Sequence, residues 1–162
     1  MKNTLFYFVL ILAAVSISGC GKPAGMPNLQ SCTITVLDGG APLADARVMM
    51  KDESNAMMLA INGITDSSGT AKMKTTYTDY VGNGVPAGKY KVIIDKEPAN
   101  VPPLKVDDSM DTKQAEEAMK KWNEEYDKIR IVPIKLTSLT ETPLTLEVNG
   151  AVEQKFDIAE YK

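Results

Sequence analysis

The 162-residue chain contains no histidine. Histidine is the usual general base near neutral pH and the commonest metal ligand. Its absence excludes serine–histidine–aspartate and cysteine–histidine catalysis, and every zinc site that uses an imidazole. Carboxylate pairs and a lysine base stay open, but neither shows as a motif. The chain is therefore not expected to be an enzyme, and no metal or cofactor is expected. Charge of one sign is also lacking: 18 Lys and Arg face 21 Asp and Glu, for a formal net charge of -3. No broad basic field is there to neutralise phosphates, so nucleic acid is not an expected partner. Aromatic residues make up only 6% and cysteines number two, Cys20 and Cys32. The long apolar run at Leu5–Val15 covers roughly 11 residues, against the ~20 that a membrane-spanning helix needs.

That run has a different layout: Lys2, then Leu5–Val15, then small residues ending at Gly19 and Cys20. A basic start, a short apolar centre and a small-residue end are the parts of a secretory signal peptide. Its last residues, Ile17, Ser18, Gly19 and Cys20, resemble the bacterial lipobox. The resemblance implies cleavage before Cys20, a diacylglycerol on its thiol and an acyl chain such as palmitate on its freed amine. Each buried methylene contributes roughly 0.8 kcal/mol, so several chains together anchor a protein to a bilayer. Gly and Pro in "GKPAGMPN" make a flexible tether. Gly21 stands where enterobacterial sorting reads an aspartate as inner-membrane retention, so the outer membrane is expected over the inner. Removing the leader takes away Lys2 and no acid, which makes the remainder slightly more acidic. Cys32 alternates with Ile34 and Val36 and is expected as a buried small hydrophobe. A Cys20–Cys32 disulfide would require that lipidation fails.

With 44% hydrophobic and 24% charged residues, the rest fits one globular domain. Short alternating runs separated by turn residues indicate an all-β sandwich or barrel. "SCTITVL", "ARVMMK", "AMMLAI", "TAKMKTT", "KYKVIID", "PLTLEV" and "VEQKFDI" are the expected strands, with a further candidate in "IRIVPIKL". Asp38-Gly39-Gly40 is a hairpin signal, and Asn149-Gly150 is the favoured pair of a type I′ hairpin between the last two runs. Leu144, Leu146 and Val148 are expected inward, with Phe156 and Ile158.

"DTKQAEEAMKKWNEEYDKI" breaks the pattern. Ala115, Met119, Trp122 and Tyr126 fall at helical spacing, and Asp111 with Gln114 forms a capping box. The stripe is expected to pack on the sheet, with exposure of Trp122 as a ligand platform the competing reading.

"NGITDSSGTAKM" raises the question of a calcium loop. Counted from Asp66, the sixth place is Ala71 where an EF-hand needs glycine, and the twelfth is Tyr77 where it needs glutamate. Asp66-Ser67-Ser68-Gly69 instead suits a type I turn.

"DGGAPLADARV", "GITDSSGTAKM" and "VPAGKYKVII" resemble the motifs of carboxypeptidase regulatory-like domains, relatives of the transthyretin (prealbumin-like) fold that occur as small lipoproteins in planctomycete-type envelopes. The tail "TPLTLEVNG…FDI" resembles the ending of such lipoproteins. Coverage extends over residues 31–96 and 130–158, leaving the helical segment unmatched. The resemblance implies an Ig-like, prealbumin-like sandwich of seven strands with one helical insertion, serving as an accessory or binding module. Hydroxyisourate hydrolase, an enzymatic relative, uses histidines and a C-terminal tyrosine-arginine-glycine-serine; this chain ends "IAEYK".

The expected organisation is a lipoprotein signal peptide at 1–19, a lipidated tether at 20–30 and a β-sandwich at 31–162, its helical insertion at about 111–128. Its expected place is the cell envelope, with a membrane bound through Cys20 and a protein or glycan partner. The alternative is a carbohydrate-binding module using Tyr77, Tyr80 and Trp122. A carboxylate hydrolase at Asp107 and Asp108 is the third reading; adjacent aspartates beside prolines also make a solvated turn.

Overall fold

Apolar–polar alternation along the chain builds two facing sheets in the computed structural model, which describes residues 25–54, 59–78, 80–104 and 110–162. The expected signal peptide, Cys20, Asp107 and Asp108 lie outside the described residues. The strands are β1 (Leu29–Gln30), β2 (Cys32–Asp38), β3 (Ala41–Pro42), β4 (Arg47–Asp52), β5 (Ala60–Ile64) and β6 (Thr70–Lys72). They continue with β7 (Lys74–Tyr77), β8 (Tyr80–Asn83), β9 (Val85–Pro86), β10 (Gly88–Asp95), β11 (Thr145–Val148) and β12 (Val152–Asp157). The larger sheet has the order β11-β10-β4-β5-β7-β8 and is antiparallel throughout. In the smaller one β2 is central: β12 runs parallel along one side, while β3 and β6 pair antiparallel with it. A short pairing of β1 with β9 adds a third ladder.

Val48, Met50, Ile61, Val92, Ile94, Leu146 and Val148 from the large sheet meet Cys32, Ile34, Val36, Ala71 and Phe156 from the small one. The molecule is thus the expected all-β sandwich with a helical insertion. Six of the seven expected runs contribute strands, and "AMMLAI" enters β5 through Ala60 and Ile61, its residues 56–58 lying outside the described residues; the structure adds short strands at β1, β3, β8 and β9.

The connections depart from expectation because the chain changes sheets at tight corners. "TAKMKTT" is two strands: β6 pairs with β2, whereas β7 pairs with β5. Buried Met73 marks the change, its N–H bonded to the Cys32 carbonyl and its own carbonyl to Gly84 N–H. Ala71, Met73 and Thr75 all point inward, so one continuous alternation serves two sheets.

The expected hairpin at Asn149-Gly150 is also a corner. β11 pairs with β10, and β12 with β2 in the opposite sheet. Only Gly150 has a positive φ, 114°, whereas type I′ needs it at both central positions. Leu144, Leu146, Val148, Phe156 and Ile158 are all buried as expected, because the two strands face each other across the core. Gly39 and Gly40, at φ 61° and 83°, do meet the type I′ requirement and join β2 to β3.

"IRIVPIKL" is not a strand. Its alternation is overridden at Pro133, which has no N–H for a ladder; a single helical turn, α2 (Ile134–Thr137), follows instead, and buried Val132 and Leu136 fall four apart on one face. Packing begins before residue 31: Met26 is buried, and β1 already pairs with β9.

The long helix, α1 (Thr112–Ile129), starts at Asp111 with both hydrogen bonds of the capping box. The expectation that its apolar stripe packs on the sheet is not met: α1 has no buried residue, and Met119 is 48% exposed. Trp122 instead faces the proline-rich approach, donating its indole N–H to the Pro102 carbonyl at 2.6 Å.

Candidate functional site

The residues that drew attention in the sequence meet at one corner of the sandwich. Thr65, buried after β5, donates its hydroxyl to the Leu43 carbonyl at 2.6 Å and accepts from Ala46 N–H at 2.8 Å. Backbone bonds run from Asp45 N–H to the Thr65 carbonyl and from Thr65 N–H to the Ala46 carbonyl. "PLADARV" is therefore clamped onto "GITD". One residue on, Asp66 Oδ1 accepts from Ser68 N–H, the Ser68 hydroxyl and Thr70 N–H, while Gly69 N–H reaches the Asp66 carbonyl. These bonds hold the Asp66 carboxyl below its ordinary pKa, with the Ser68 hydroxyl the leading cause. The expected turn forms, and it carries the chain between sheets. Gly69 has φ 74°, and a Cβ there would lie 2.5 Å from the Val36 carbonyl oxygen. Only glycine fits this position without strain.

The third motif is also structural. Tyr90 is buried, donates its hydroxyl to the Pro86 carbonyl at 2.9 Å, and has its pKa pushed up to about 12, by burial first and then by Asp52 and Cys32. Cys32 is a core residue whose thiol burial raises to about 11, so it holds little of the thiolate that reactivity requires. At the turn of the β2–β3 hairpin, whose strands also pack on Gly69, Asp157 accepts from Gly39 N–H, Gly40 N–H and Ala159 N–H at 2.8, 2.7 and 3.0 Å. Those bonds, led by the one from Ala159, lower its pKa. Among the described residues no three ligating side chains gather as a metal site would require.

The aromatic residues of the alternative, carbohydrate-binding reading do not form one platform. Tyr77 and Tyr80 are cross-strand partners at the end of the β7–β8 ladder, and the Tyr80 ring covers Gly82. Trp122 stacks instead on Tyr126, ring centroids 5.0 Å apart and planes 19° from parallel, with Arg130 over the Tyr126 ring at 4.8 Å. Its indole N–H and one ring face are engaged within the protein. The last turn of α1, at Tyr126, comes up against the end of the large sheet. There it lines a cleft of about 680 Å³ with Asp45, Asp95, Lys96 and Glu97.

A second ligand-sized feature adjoins this cleft at Arg47 and Ile64 and opens on the outer face of the large sheet. A groove of about 700 Å³ runs over β4 and β5, bordered by Ile93 of β10 and by Leu139. Arg47, Met49 and Lys51 alternate outward along β4, while Val48 and Met50 point into the core. Register pairs Met49 with Ile93 on one side and Asn62 on the other, and Arg47 with Ile64. Ile64 is 67% exposed and Leu139 41%. Sequence reasoning missed this face. Its signal was an isoleucine on the polar side of β5, next to the threonine that marks the corner.

No family model matches the chain, and no curated protein matches it. Among solved structures it is similar to the major pilin subunit of Bacillus cereus, at 13% identity and a TM-score of 0.42, covering 82% of this chain and 30% of that one. The chain spans under a third of the pilin's length, and a likeness this loose carries neither function nor partner across. Among the described residues no helix is long and apolar enough to cross a membrane.

Proposed function

We propose that this chain is a lipid-anchored, non-catalytic binding module of the bacterial cell envelope, of the carboxypeptidase regulatory-like kind. The anchor reading is carried by Ile17, Ser18, Gly19 and Cys20 at the end of a short apolar run. The module reading is supported by where the distinctive residues sit: Thr65, Asp66, Gly69 and Tyr90 brace corners and core through hydrogen bonds within the protein or a close fit. The outer face of the large sheet lies open for interaction.

The test is crosslinking in cells of the full-length protein against its Cys20→Ala variant, with identification of the linked neighbours. The expected result is a defined envelope neighbour, lost or exchanged in Cys20→Ala. The same neighbours in both, recovered from the soluble fraction, would contradict anchoring. Glycan fragments in place of protein would turn the reading to carbohydrate.

A further inference from the structure

We propose that the groove on the outer face of the large sheet binds an extended acidic–apolar polypeptide segment, with two carboxylates four residues apart meeting Arg47 and Lys51. This deepens the binding-module reading by naming the partner's chemistry; it rests on that reading and not on the anchor.

Charge complementarity selects this occupant. Arg47 and Lys51 both point outward from β4 at opposite ends of its groove-lining row. Strand geometry separates their Cα atoms by about 13 Å. Among the described residues neither side chain makes a hydrogen bond or ion pair. Asp95 is the cross-strand neighbour of Arg47, yet no ion pair joins them. Lys51 stands directly opposite Lys91, and like charges so placed repel. Lys91 Nζ donates to the Thr142 carbonyl, which leaves Lys51 to face an incoming anion.

Between the two cations the floor is apolar: Met49, Ile93, Ile64 and Leu139. Asn62 lies beside Met49 at mid-groove, its side chain without a hydrogen bond among the described residues, where a peptide amide passes. A single-chain acyl carboxylate would satisfy one cation and leave the other and Asn62 without partners. An extended segment repeats its side-chain direction every second residue. Residues one and five of such a segment therefore supply anions with the same ~13 Å spacing, and residue three points an apolar side chain at the floor.

The experiment is fluorescence anisotropy of the full chain with a labelled five-residue peptide, glutamate at both ends and leucine, valine and leucine between. Replacing either terminal glutamate by glutamine is expected to weaken binding about fivefold, the worth of one exposed ion pair. Ile64→Ser, at an exposed position that leaves the core intact, is expected to weaken it about tenfold. Lys51→Glu should lose the acidic peptide and gain one that carries lysine at one end, a swap that a misfolded variant does not produce.

Equal binding of the glutamine peptide, or none of either, overturns the proposal while leaving the crosslinking result to decide the module reading. Binding of dodecanoate in preference to the peptide, abolished by Ile64→Ser, overturns it in favour of an amphiphile. Concentration-dependent dimerisation abolished by Ile64→Ser overturns it in favour of a second copy of the chain.

Discussion

Gly69 and Asp157 show how single residues hold the corners. Gly69 combines a φ of 74° with backbone of Val36, Leu43 and Pro42 on the side where a Cβ would stand, so Gly69→Ala suffers both backbone strain and a clash. Strain alone at such a position costs roughly 1–3 kcal/mol. Gly39 has φ 61° but open space around it, so Gly39→Ala carries the strain alone. Urea unfolding is expected to show a clearly larger loss for Gly69→Ala; equal losses would contradict the packing described for that corner. Asp157 acts through charge. Its pKa in the folded state lies below the ordinary 3.8 because three backbone N–H groups donate to the carboxylate. Its stabilising contribution is therefore complete above about pH 5 and is lost as pH falls past 3.8 and on through the folded-state value. Asp66 behaves in the same direction. Asp157→Asn should accordingly show a flatter fall in stability between about pH 5 and pH 3 than the unsubstituted chain, measured by urea midpoints across that range. A variant that falls as steeply would mean that this carboxylate is not a source of the acid sensitivity. At the alkaline end Tyr90, raised to about 12, ionises first in the unfolded chain, so stability declines from about pH 10 upward.

At the scale of elements, strands and helix were legible in the sequence to different depths. Period-two alternation located β2, β4, β10 and β12, and Asp111 with Gln114 marked the helix start, because these signals are local. Pairing was not local. A tight turn after alternating residues reads the same whether the chain folds back in one sheet or steps to the other, and at Gly69, Met73 and Gly150 it steps across. The groove was invisible for a related reason: Met49, Ile93, Ile64 and Leu139 come together only through strand order. Alternation also misled at Pro133, where a missing donor outweighs the pattern. For α1, the lack of buried residues predicts local opening well below the cost of global unfolding. Asp111→Ala removes the cap and should speed hydrogen exchange in the first turns of α1 by roughly fivefold, an effect near 1 kcal/mol, while β10 amides keep their protection. If α1 and β10 exchange together in both proteins, the helix belongs to the cooperative core.

Over the whole molecule, the described residues form a two-sheet sandwich whose recognisable motifs brace its corners, and whose exposed sheet face carries the features of a binding surface. The proposed binding module accords with that division. The chain has no histidine, and its described cysteine is buried, so neither an imidazole nor that thiol is on offer for chemistry at the surface. A module of this kind gains its specificity from where it is held, because fixing it at a bilayer raises its effective concentration toward neighbours there. Attachment at Cys20 is therefore the central claim. Mass spectrometry of the N-terminal fragment of the protein purified from its own membranes tests it most directly. The account predicts a chain that begins at Cys20, with diacylglycerol on the thiol and an acyl group on the amine. A chain that begins elsewhere, or one that carries a free Cys20 thiol, would contradict it.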